Sequence, residues 1–341
     1  MNFSIAPFTK DDFEQFQCYI HKAFHHKYIL GNSQYLDWQF RCGGFYIVKN
    51  GNEIVGHFGW HDLAYKIYDR SQSVRVLINL FVLEPYRLTG VGALLAQKVF
   101  DTSDPVIVSG YTLPSERLFG RLRTQWQNAG KLYRWMYILN PHAVEFYRYQ
   151  LPKVGVAKVS GRSMFIVKPV YKAGESLDRL WQEARRRYPV TLERTVDYLT
   201  WRFFDHPFFR YHFLVAKEGD VVWGYLVFRF EESSGFKIAR IVDWVGNGLA
   251  DESLVQEFLR ISKDEGADAA DFMFSGHFYD QVLAGVGFFN VADGDLENFP
   301  IYFNPISHKK SFINVGYDIE APFDDCYITK ANGDQDRPNP Y

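Results

Sequence analysis

One pattern of aromatic and apolar residues occurs twice along this chain. The segment YLDWQF at 35–40 recurs as YLTWRF at 198–203, which is 163 residues later. Each copy is followed by two apolar runs on either side of a turn, which contains Gly51 in the first copy and Gly219 in the second. Runs of this kind around a glycine turn predict a β-hairpin. Two blocks in the same order at nearly constant spacing indicate an internal duplication.

The elements that follow these blocks have the same order in both halves. Each half has an apolar strand after the hairpin, at 74–83 and 237–245, and then a helix, at 91–100 and 252–265. A short strand, a helix and a closing strand complete each half. Antiparallel strands that later meet helices predict an α/β (α+β mixed sheet) fold, with two tandem domains that each have a mostly antiparallel central sheet flanked by helices.

The domain bounds follow from length and from the repeat. A chain of 341 residues exceeds the usual domain size of about 150 residues. We place the domains at 1–150 and 160–330, joined by a short link. The segment 331–341 is rich in turn formers and has no apolar pattern, so we expect a flexible tail.

Charge and cysteine content exclude several classes of protein. Lys and Arg total 38 and Asp and Glu total 40, a net charge of −2, which excludes a globally basic nucleic-acid binder. No apolar stretch approaches the roughly 20 residues of a membrane-spanning helix. The three cysteines are widely spaced, so they indicate neither a disulfide framework nor a zinc site. No secretory signal is visible, and we expect a cytoplasmic protein without a metal.

The segment 77–95 carries the most specific chemical signal. A buried strand stops at Pro85, and a loop with two glycines leads into an apolar helix near Val91. Gly90 and Gly92 allow the main chain to approach a ligand closely, and the start of the helix adds a positive dipole end. The combination predicts a cradle for an anion such as a diphosphate. An ordinary strand-to-helix turn is the alternative interpretation.

The run Arg87-x-x-Gly90-x-Gly92, preceded by VLEPY and by a hairpin, resembles the acetyl-CoA loop of GNAT N-acetyltransferases. The resemblance covers about residues 3–140. It implies an acetyl-CoA or another acyl-CoA co-substrate, with Phe81 and Val82 facing the acyl-pantetheine arm. It also implies that the phosphates contact the residues of the loop and helix start, which are Arg87, Leu88, Thr89, Gly90, Val91, Gly92 and Ala93.

The second half has no comparable loop. The segment 247–252 lacks the glycine spacing, and its Asp251 and Glu252 place carboxylates where a phosphate would sit. We interpret it as a degenerate GNAT-like copy without the cofactor loop. It would shape or cover the acceptor site, or mediate a possible homodimer.

Candidate catalytic residues come partly from the resemblance. The family often has a tyrosine acid in a helix, but the corresponding segment 115–122 has Phe119, so Tyr111 or solvent would replace that acid. Ser115, Phe119 and Arg121 of this region would line the cofactor. Arg121 belongs to a basic run that would contact the 3′-phosphate of CoA or an anionic acceptor, or would be a solvated helix face.

The candidate bases are Glu84, beside the loop, and His61, at the hairpin end together with His57. Each could equally be structural, Glu84 as a turn residue and the histidines as hydrogen-bonded core residues. Asn79 lies in an apolar strand, where a buried amide needs partners, so it would orient a water or tie down the backbone.

These features favour an acyl-CoA-dependent N-acetyltransferase that acts on a small-molecule amine by direct attack in a ternary complex. An amino sugar or a nucleotide-linked amino sugar is the first acceptor to consider, by analogy with tandem GNAT proteins of polysaccharide biosynthesis. Two alternatives stay open: an aminoacyl-tRNA-dependent aminoacyl transferase with the tandem fold, and a non-catalytic CoA-binding module.

Overall fold

The computed structural model describes residues 2–24, 28–142, 164–293, 299–301 and 312–338. Its helices are α1 (Phe13–Ala23), α2 (Ser33–Gln39), α3 (Val91–Val99), α4 (Leu113–Leu122), α5 (Glu175–Ala184), α6 (Val196–Leu199), α7 (Asp251–Asp264) and α8 (Asp280–Gly285). Its strands are β1 (Phe3–Pro7), β2 (Gly43–Asn50), β3 (Glu53–Ile67), β4 (Arg70–Val82), β5 (Val106–Ser109), β6 (Gln127–Lys131), β7 (Tyr133–Ile138), β8 (Ile166–Pro169), β9 (Val190–Leu192), β10 (His212–Glu218), β11 (Val221–Ser233), β12 (Phe236–Gly246), β13 (Ala269–Phe274), β14 (Phe289–Asn290), β15 (Asn314–Tyr317) and β16 (Cys326–Tyr327).

The chain forms two compact units. The described residues of 1–131, 313–322 and 332–341 belong to unit 1, and those of 132–312 and 323–331 belong to unit 2. No helix in the described ranges has both the length and the apolar character needed to cross a membrane.

The sheet of unit 1 has the strand order β1-β2-β3-β4-β5-β15-β6. The pairs are antiparallel except for β4 with β5, which run parallel. The β2–β3 hairpin closes at Gly51, whose φ of +60° is readily adopted by glycine. The predicted hairpin is confirmed.

Alternating side chains of β3 separate the two faces of this sheet. His57 packs against Phe16 of α1, with ring centroids 5.4 Å apart, whereas Phe58 stacks on Phe119 of α4 at 6.1 Å. Helix α3 buries its apolar stripe, which includes Leu95 and Val99, in the same cluster as Phe58 and Phe119. Helices α1 and α3 therefore cover opposite faces of the sheet.

Unit 2 repeats the order of hairpin, long strand, helix and parallel strand. Its sheet has the order β14-β7-β13-β12-β11-β10-β8, and only β12 and β13 pair in parallel within it. The β10–β11 hairpin turns at Gly219, where φ is +58°, and Phe258 of α7 packs on Phe228 of β11 at 4.9 Å. Two mixed, mostly antiparallel sheets flanked by helices confirm the predicted fold class.

The units do not follow the predicted cut into 1–150 and 160–330. Strand β7 precedes that boundary but pairs with β13 of unit 2, and β15 lies near the chain end but pairs with β5 and β6 of unit 1. Backbone pairing over such sequence distances leaves no local pattern, so the sequence does not reveal it. The predicted link, near residues 150–161, lies outside the described residues.

The prediction of a flexible tail at 331–341 is wrong for the residues described there. Asn332 donates to the Tyr65 hydroxyl at 3.2 Å, and Gln335 donates to the Ser109 carbonyl at 2.9 Å. A short polar segment that satisfies its side chains in this way is ordered without an apolar pattern of its own.

A buried ion network fixes β7 in the sheet of unit 2. The Asp271 carboxylate on β13 accepts from Arg240 of β12 at 3.0 Å and from Arg134 of β7 at 2.9 Å. Although burial alone would raise it, the pKa of Asp271 is lowered to about 2 by Arg240 and Arg134. Loss of the carboxylate would remove a charged acceptor from both buried cations, while Arg240 would keep its ion pair with Glu231 at 2.8 Å.

Asp271→Asn should therefore lower the free energy of unfolding by about 3–5 kcal/mol. Denaturant unfolding of the full chain measures the change. Asp264→Asn is the control, because Asp264 pairs with Arg260 on the exposed surface of α7 and its loss should have no measurable effect. Equal stability of wild type and Asp271→Asn would contradict the argument.

Candidate functional site

Strands β4 and β5 separate halfway along β4. Their parallel pairing runs from Arg75 with Val106 to Leu77 with Val108, and β5 ends at Ser109. Strand β4 continues to Val82 and stays paired with β3 on its other edge. Among the described residues, no strand pairs with 78–82 on the β5 side, and the side chains of Tyr19 and Arg87 donate to the Phe81 and Val82 carbonyls.

A bulge in β4 lies at the start of this opening. The register with β3 shifts between the pairs Gly59–Ile78 and His57–Phe81, and Asn79 adopts φ = +54°. Positive φ is uncommon outside glycine, and asparagine is among the residues that tolerate it best. The Asn79 Oδ1 atom accepts from Arg337 at 2.9 Å, while its Nδ2 atom is buried and has no hydrogen-bond partner among the described residues.

The glycine loop joins the same end of β4 to α3. A 3₁₀ turn, Glu84–Tyr86, follows the strand, and Gly90 caps α3 with φ = +84°. The Gly90 carbonyl accepts from the amides of Ala93 and Leu94, whereas the amides of the first helical residues, Val91 and Gly92, have no acceptor within an α-helix. These amides form the candidate anion site.

The space in front of the two glycines is open. A Cβ atom at Gly90 would meet nothing within 4 Å, and one at Gly92 would meet only Val82 Cγ2 at 3.7 Å. The residues predicted around the phosphates line this loop: Leu88, Thr89 and Ala93 are exposed, and Val91 is buried beneath them. The Thr89 hydroxyl donates to the Tyr86 carbonyl at 2.7 Å and stiffens the turn.

Arg87 braces the loop against the strand. Its Nε atom donates to the Val82 carbonyl at 3.1 Å, and its guanidinium lies 5.3 Å from the centre of the Phe81 ring. The structure thus brings Phe81, Val82 and Arg87 into contact with one another, and their roles towards a cofactor stay predictions.

On the α1 face, a buried pair supports β4. The Tyr19 hydroxyl donates to the Phe81 carbonyl at 3.2 Å and lies 2.9 Å from His57 Nδ1. Because the hydroxyl has a single proton, both contacts are satisfied when His57 carries its proton on Nδ1. Burial, and then the charge of Arg337, lower the pKa of His57 to about 3, so the ring is neutral at physiological pH.

The predicted bases lie apart from one another. Glu84 is exposed at the first position of the 3₁₀ turn. His61 is buried on β3, opposite Val76, and meets the edge of Phe40 with ring centroids 6.3 Å apart. His61 therefore lies beside the part of β4 that is still paired with β5, before the opening begins.

The residues predicted around α4 lie in and beside the core. Tyr111 is buried and donates its hydroxyl to Asn128, and burial, followed by the charge of Glu116, raises its pKa well above the usual value. Phe119 is buried against Phe58 and Phe100, and the Ser115 hydroxyl lies 3.1 Å from that of Thr112. Arg121 is exposed and lines an open groove of about 800 Å³ beside α3, together with Lys98.

Sequence reasoning missed Tyr19 and Arg337. Tyr19 fits the apolar stripe of α1, so nothing in its spacing distinguishes it from a core residue. Arg337 lies in the segment assigned to the flexible tail, and its partner Asn79 is 258 residues away. Only Asn79, a polar residue within the apolar run 76–83, pointed to this place.

The corresponding place in unit 2 is filled by side chains. Strand β12 pairs with β13 up to Ile241, and beyond that point the Trp244 carbonyl accepts hydroxyl protons from Tyr279 at 2.9 Å and Tyr327 at 2.5 Å. Asp251, the first residue of α7, accepts from Arg187 at 2.7 Å. The start of this helix thus has an internal carboxylate and its counter-ion.

Within the ranges that the structure describes, no three His, Cys, Asp or Glu side chains come together in a way that could hold a metal ion.

The buried neutral His57 makes unit 1 sensitive to acid. In the unfolded chain this residue binds a proton near the ordinary histidine pKa of 6.5, while in the folded chain it resists protonation down to about 3. The free energy of unfolding is therefore not reduced by His57 above pH 6.5. As the pH falls from 6.5 towards 3, His57 lowers the free energy of unfolding by up to about 1.4 kcal/mol per pH unit. His57→Gln should reduce that slope in denaturant unfolding between pH 6.5 and 4. His21→Gln, at an exposed position of α1, should leave it unchanged, and equal slopes in all three proteins would refute the assignment.

Comparison with known proteins gives matches at the level of structure. No family model matches the chain, and no curated protein matches its sequence. A GCN5-related N-acetyltransferase from Anabaena variabilis ATCC 29413 superposes with a TM-score of 0.61 at 13% identity, covering 93% of this chain and 72% of that one. A probable N-acyltransferase of unknown function from Enterococcus faecalis V583 gives 0.61 at 9%, covering 85% and 70%. A GCN5-related N-acetyltransferase from Kribbella flavida gives 0.58 at 13%, covering 93% and 70%. The chain therefore has the fold of the GCN5-related N-acetyltransferases.

Proposed function

We propose that this protein is an acyl-CoA-dependent N-acyltransferase whose cofactor site lies in unit 1. One observation carries the proposal: the open edge of β4 and the glycine-capped start of α3 meet at the same strand end. The first offers backbone hydrogen bonds to an extended amide-containing chain, and the second offers amides to a diphosphate. Acyl-CoA carries both groups, joined in one molecule.

The residues of the site fit such a ligand. The amides of Val91 and Gly92 would hold the diphosphate, since the space before both glycines is open. The backbone of 78–82 would pair with the pantetheine arm, beside Phe81 and Val82. Arg121 and Lys98 are the cations nearest to the groove beside α3, where a further phosphate would be neutralised. The co-substrate supplies an acyl group activated as a thioester.

Two of the candidate proton-transfer groups near the proposed site, His57 and Tyr111, are poorly suited to that role. His57, with a pKa of about 3, is too weak a base to take a proton from an ammonium group at neutral pH. The Tyr111 hydroxyl is neutral and engaged by Asn128, so a role as acid would require it to exchange partners. Glu84 has the solvent exposure that a proton relay needs, and we keep it as the candidate base ahead of His61.

We propose a small-molecule amine as the acceptor. An amino sugar or nucleotide-linked amino sugar is the first class to test. The acyl group would pass directly to the amine in a ternary complex.

For unit 2 we propose a degenerate copy that binds no acyl-CoA. Its strand opening is occupied by Tyr279 and Tyr327, and its helix start by the Arg187–Asp251 pair. Titration calorimetry of the full chain should accordingly give one acetyl-CoA per chain. Two sites per chain would contradict this part of the proposal.

Ala93→Glu tests the cradle without disturbing the fold. Ala93 is exposed in the first turn of α3, where a glutamate stabilises a helix but repels a diphosphate. We expect acetyl-CoA affinity to fall at least about tenfold, which corresponds to about 1.4 kcal/mol, with an unchanged or higher melting temperature.

Ala93→Lys is the matched control, because lysine has a similar helix propensity and the opposite charge. It should retain affinity within a few-fold. Unchanged binding in Ala93→Glu would show that the loop is only a turn.

Thiol release over a panel of amines then tests catalysis. Tight binding without turnover on any amine would favour a non-catalytic CoA-binding module, and binding of aminoacyl-tRNA but not acetyl-CoA would favour the aminoacyl transferase.

A further inference from the structure

The C-terminal strap, residues 332–338, crosses from β5 to β4 where the two strands separate. Gln335 donates to the Ser109 carbonyl at 2.9 Å, at the end of β5. Its amide lies against Gly110, where a Cβ atom would overlap it. Arg337, two residues further on, donates to Asn79 Oδ1 at the β4 bulge. The strap thus spans the mouth of the opening.

The strap lies on the α1 face of the sheet. Arg337 lies over the Tyr28 ring at 5.7 Å, and Tyr28 stacks on Phe24 at the end of α1. Asn332 contacts the hydroxyl of Tyr65 on β3. Helix α3 packs on the opposite face. Arg87 of the glycine loop lies over the Phe81 ring, which packs on Phe24 at 4.5 Å, so this loop side chain is on the same face as the strap.

Arg337 is held in place from within the strap. Its NH1 atom also donates to the Asp334 carboxylate at 2.8 Å, and that carboxylate is only 7% exposed. The guanidinium is therefore oriented before any ligand arrives, by an ion pair, by the Tyr28 ring and by Asn79.

This contact decides which way the Asn79 amide points. A guanidinium can only donate, so it fixes Oδ1 towards the strap and turns Nδ2 away from it. The Nδ2 atom is then a buried donor without a hydrogen-bond partner in the described part of the chain. A buried donor left unpaired costs about 1–3 kcal/mol, and a role in binding or catalysis is one of the reasons for which a native structure retains such a donor.

We propose that Arg337 is a positioning residue for acyl transfer: it holds Asn79 so that Nδ2 is presented to the acyl carbonyl oxygen in the β4 opening. This rests on the proposed function. The amine nitrogen forms a bond to the acyl carbon, the carbon–sulfur bond breaks with its electron pair going to sulfur, the amine releases a proton to the proposed base, Glu84, and the sulfur takes one up from solvent. Asn79 Nδ2 stabilises the negative charge that develops on the acyl oxygen.

The first test is spectroscopic and uses the cofactor-free protein. The side-chain amide signal of Asn79 is assigned as the one that disappears in Asn79→Gly, a variant that suits the positive φ of this position. We expect Arg337→Ala to shift that signal and Arg337→Lys to retain most of its position. Arg117→Ala, at an exposed site on α4, is the control and should not move it. An unmoved Asn79 signal in Arg337→Ala would overturn the proposal whatever the protein catalyses.

The second test is kinetic. Arg337→Ala should lower kcat by roughly tenfold to a hundredfold, while the Kd and KM of acetyl-CoA change less than about threefold. Arg337→Lys should recover part of the loss. The double variant Asn79→Gly with Arg337→Ala should be no slower than Asn79→Gly alone, because Arg337 acts through Asn79.

Additive losses in the double variant, or full kcat in Asn79→Gly, would overturn the proposal while the acyltransferase function stands. Failure of the wild type to bind acetyl-CoA would instead refute the proposed function, and with it the catalytic role of Arg337. The Asn79 signal would then still report whether the strap orients the amide.

Discussion

A strand inside a sheet has backbone groups on two edges to satisfy, and among the described residues β4 has a neighbouring strand on only one edge after Leu77. Several contacts of unit 1 are made around this open edge of β4. The bulge at Asn79 changes the direction of the strand, Arg87 ties the following loop to its end, and Tyr19 supports the Phe81 carbonyl from the other face. A glycine-capped helix then begins where the open edge stops, so two different kinds of hydrogen-bond donor face one region.

The parts of this arrangement that depend on neighbouring residues could be predicted from the sequence. Gly90 caps α3 at positive φ as its place before an apolar run suggested, and both hairpins turn at their predicted glycines. Parts that depend on distant partners could not. The exchange of β7 and β15 between the halves leaves no periodic signal. The Arg337–Asn79 contact joins two residues that are unremarkable in their own segments, and the proximity of Tyr19 to β4 depends on how α1 packs.

The two units show how one architecture can keep or close a ligand opening. Both have a parallel pair of strands that part, and a helix that starts nearby. In unit 1, Gly90 and Gly92 leave the space in front of the start of α3 open. In unit 2 tyrosine hydroxyls satisfy the Trp244 carbonyl, and the Arg187–Asp251 pair occupies the helix start. The backbone topology is thus permissive, and a few side chains decide whether a ligand has room.

The position of β15 in the sheet has a consequence for synthesis on the ribosome. Residues 314–317 lie between β5 and β6, so the sheet that carries the open strand is complete only after residue 317 has been translated. The strap follows later still. Nascent chains released early would expose unpaired strand edges of β5 and β6, which are prone to aggregation and proteolysis. Completion of the unit 1 sheet therefore waits for the synthesis of β15, about 180 residues after β6.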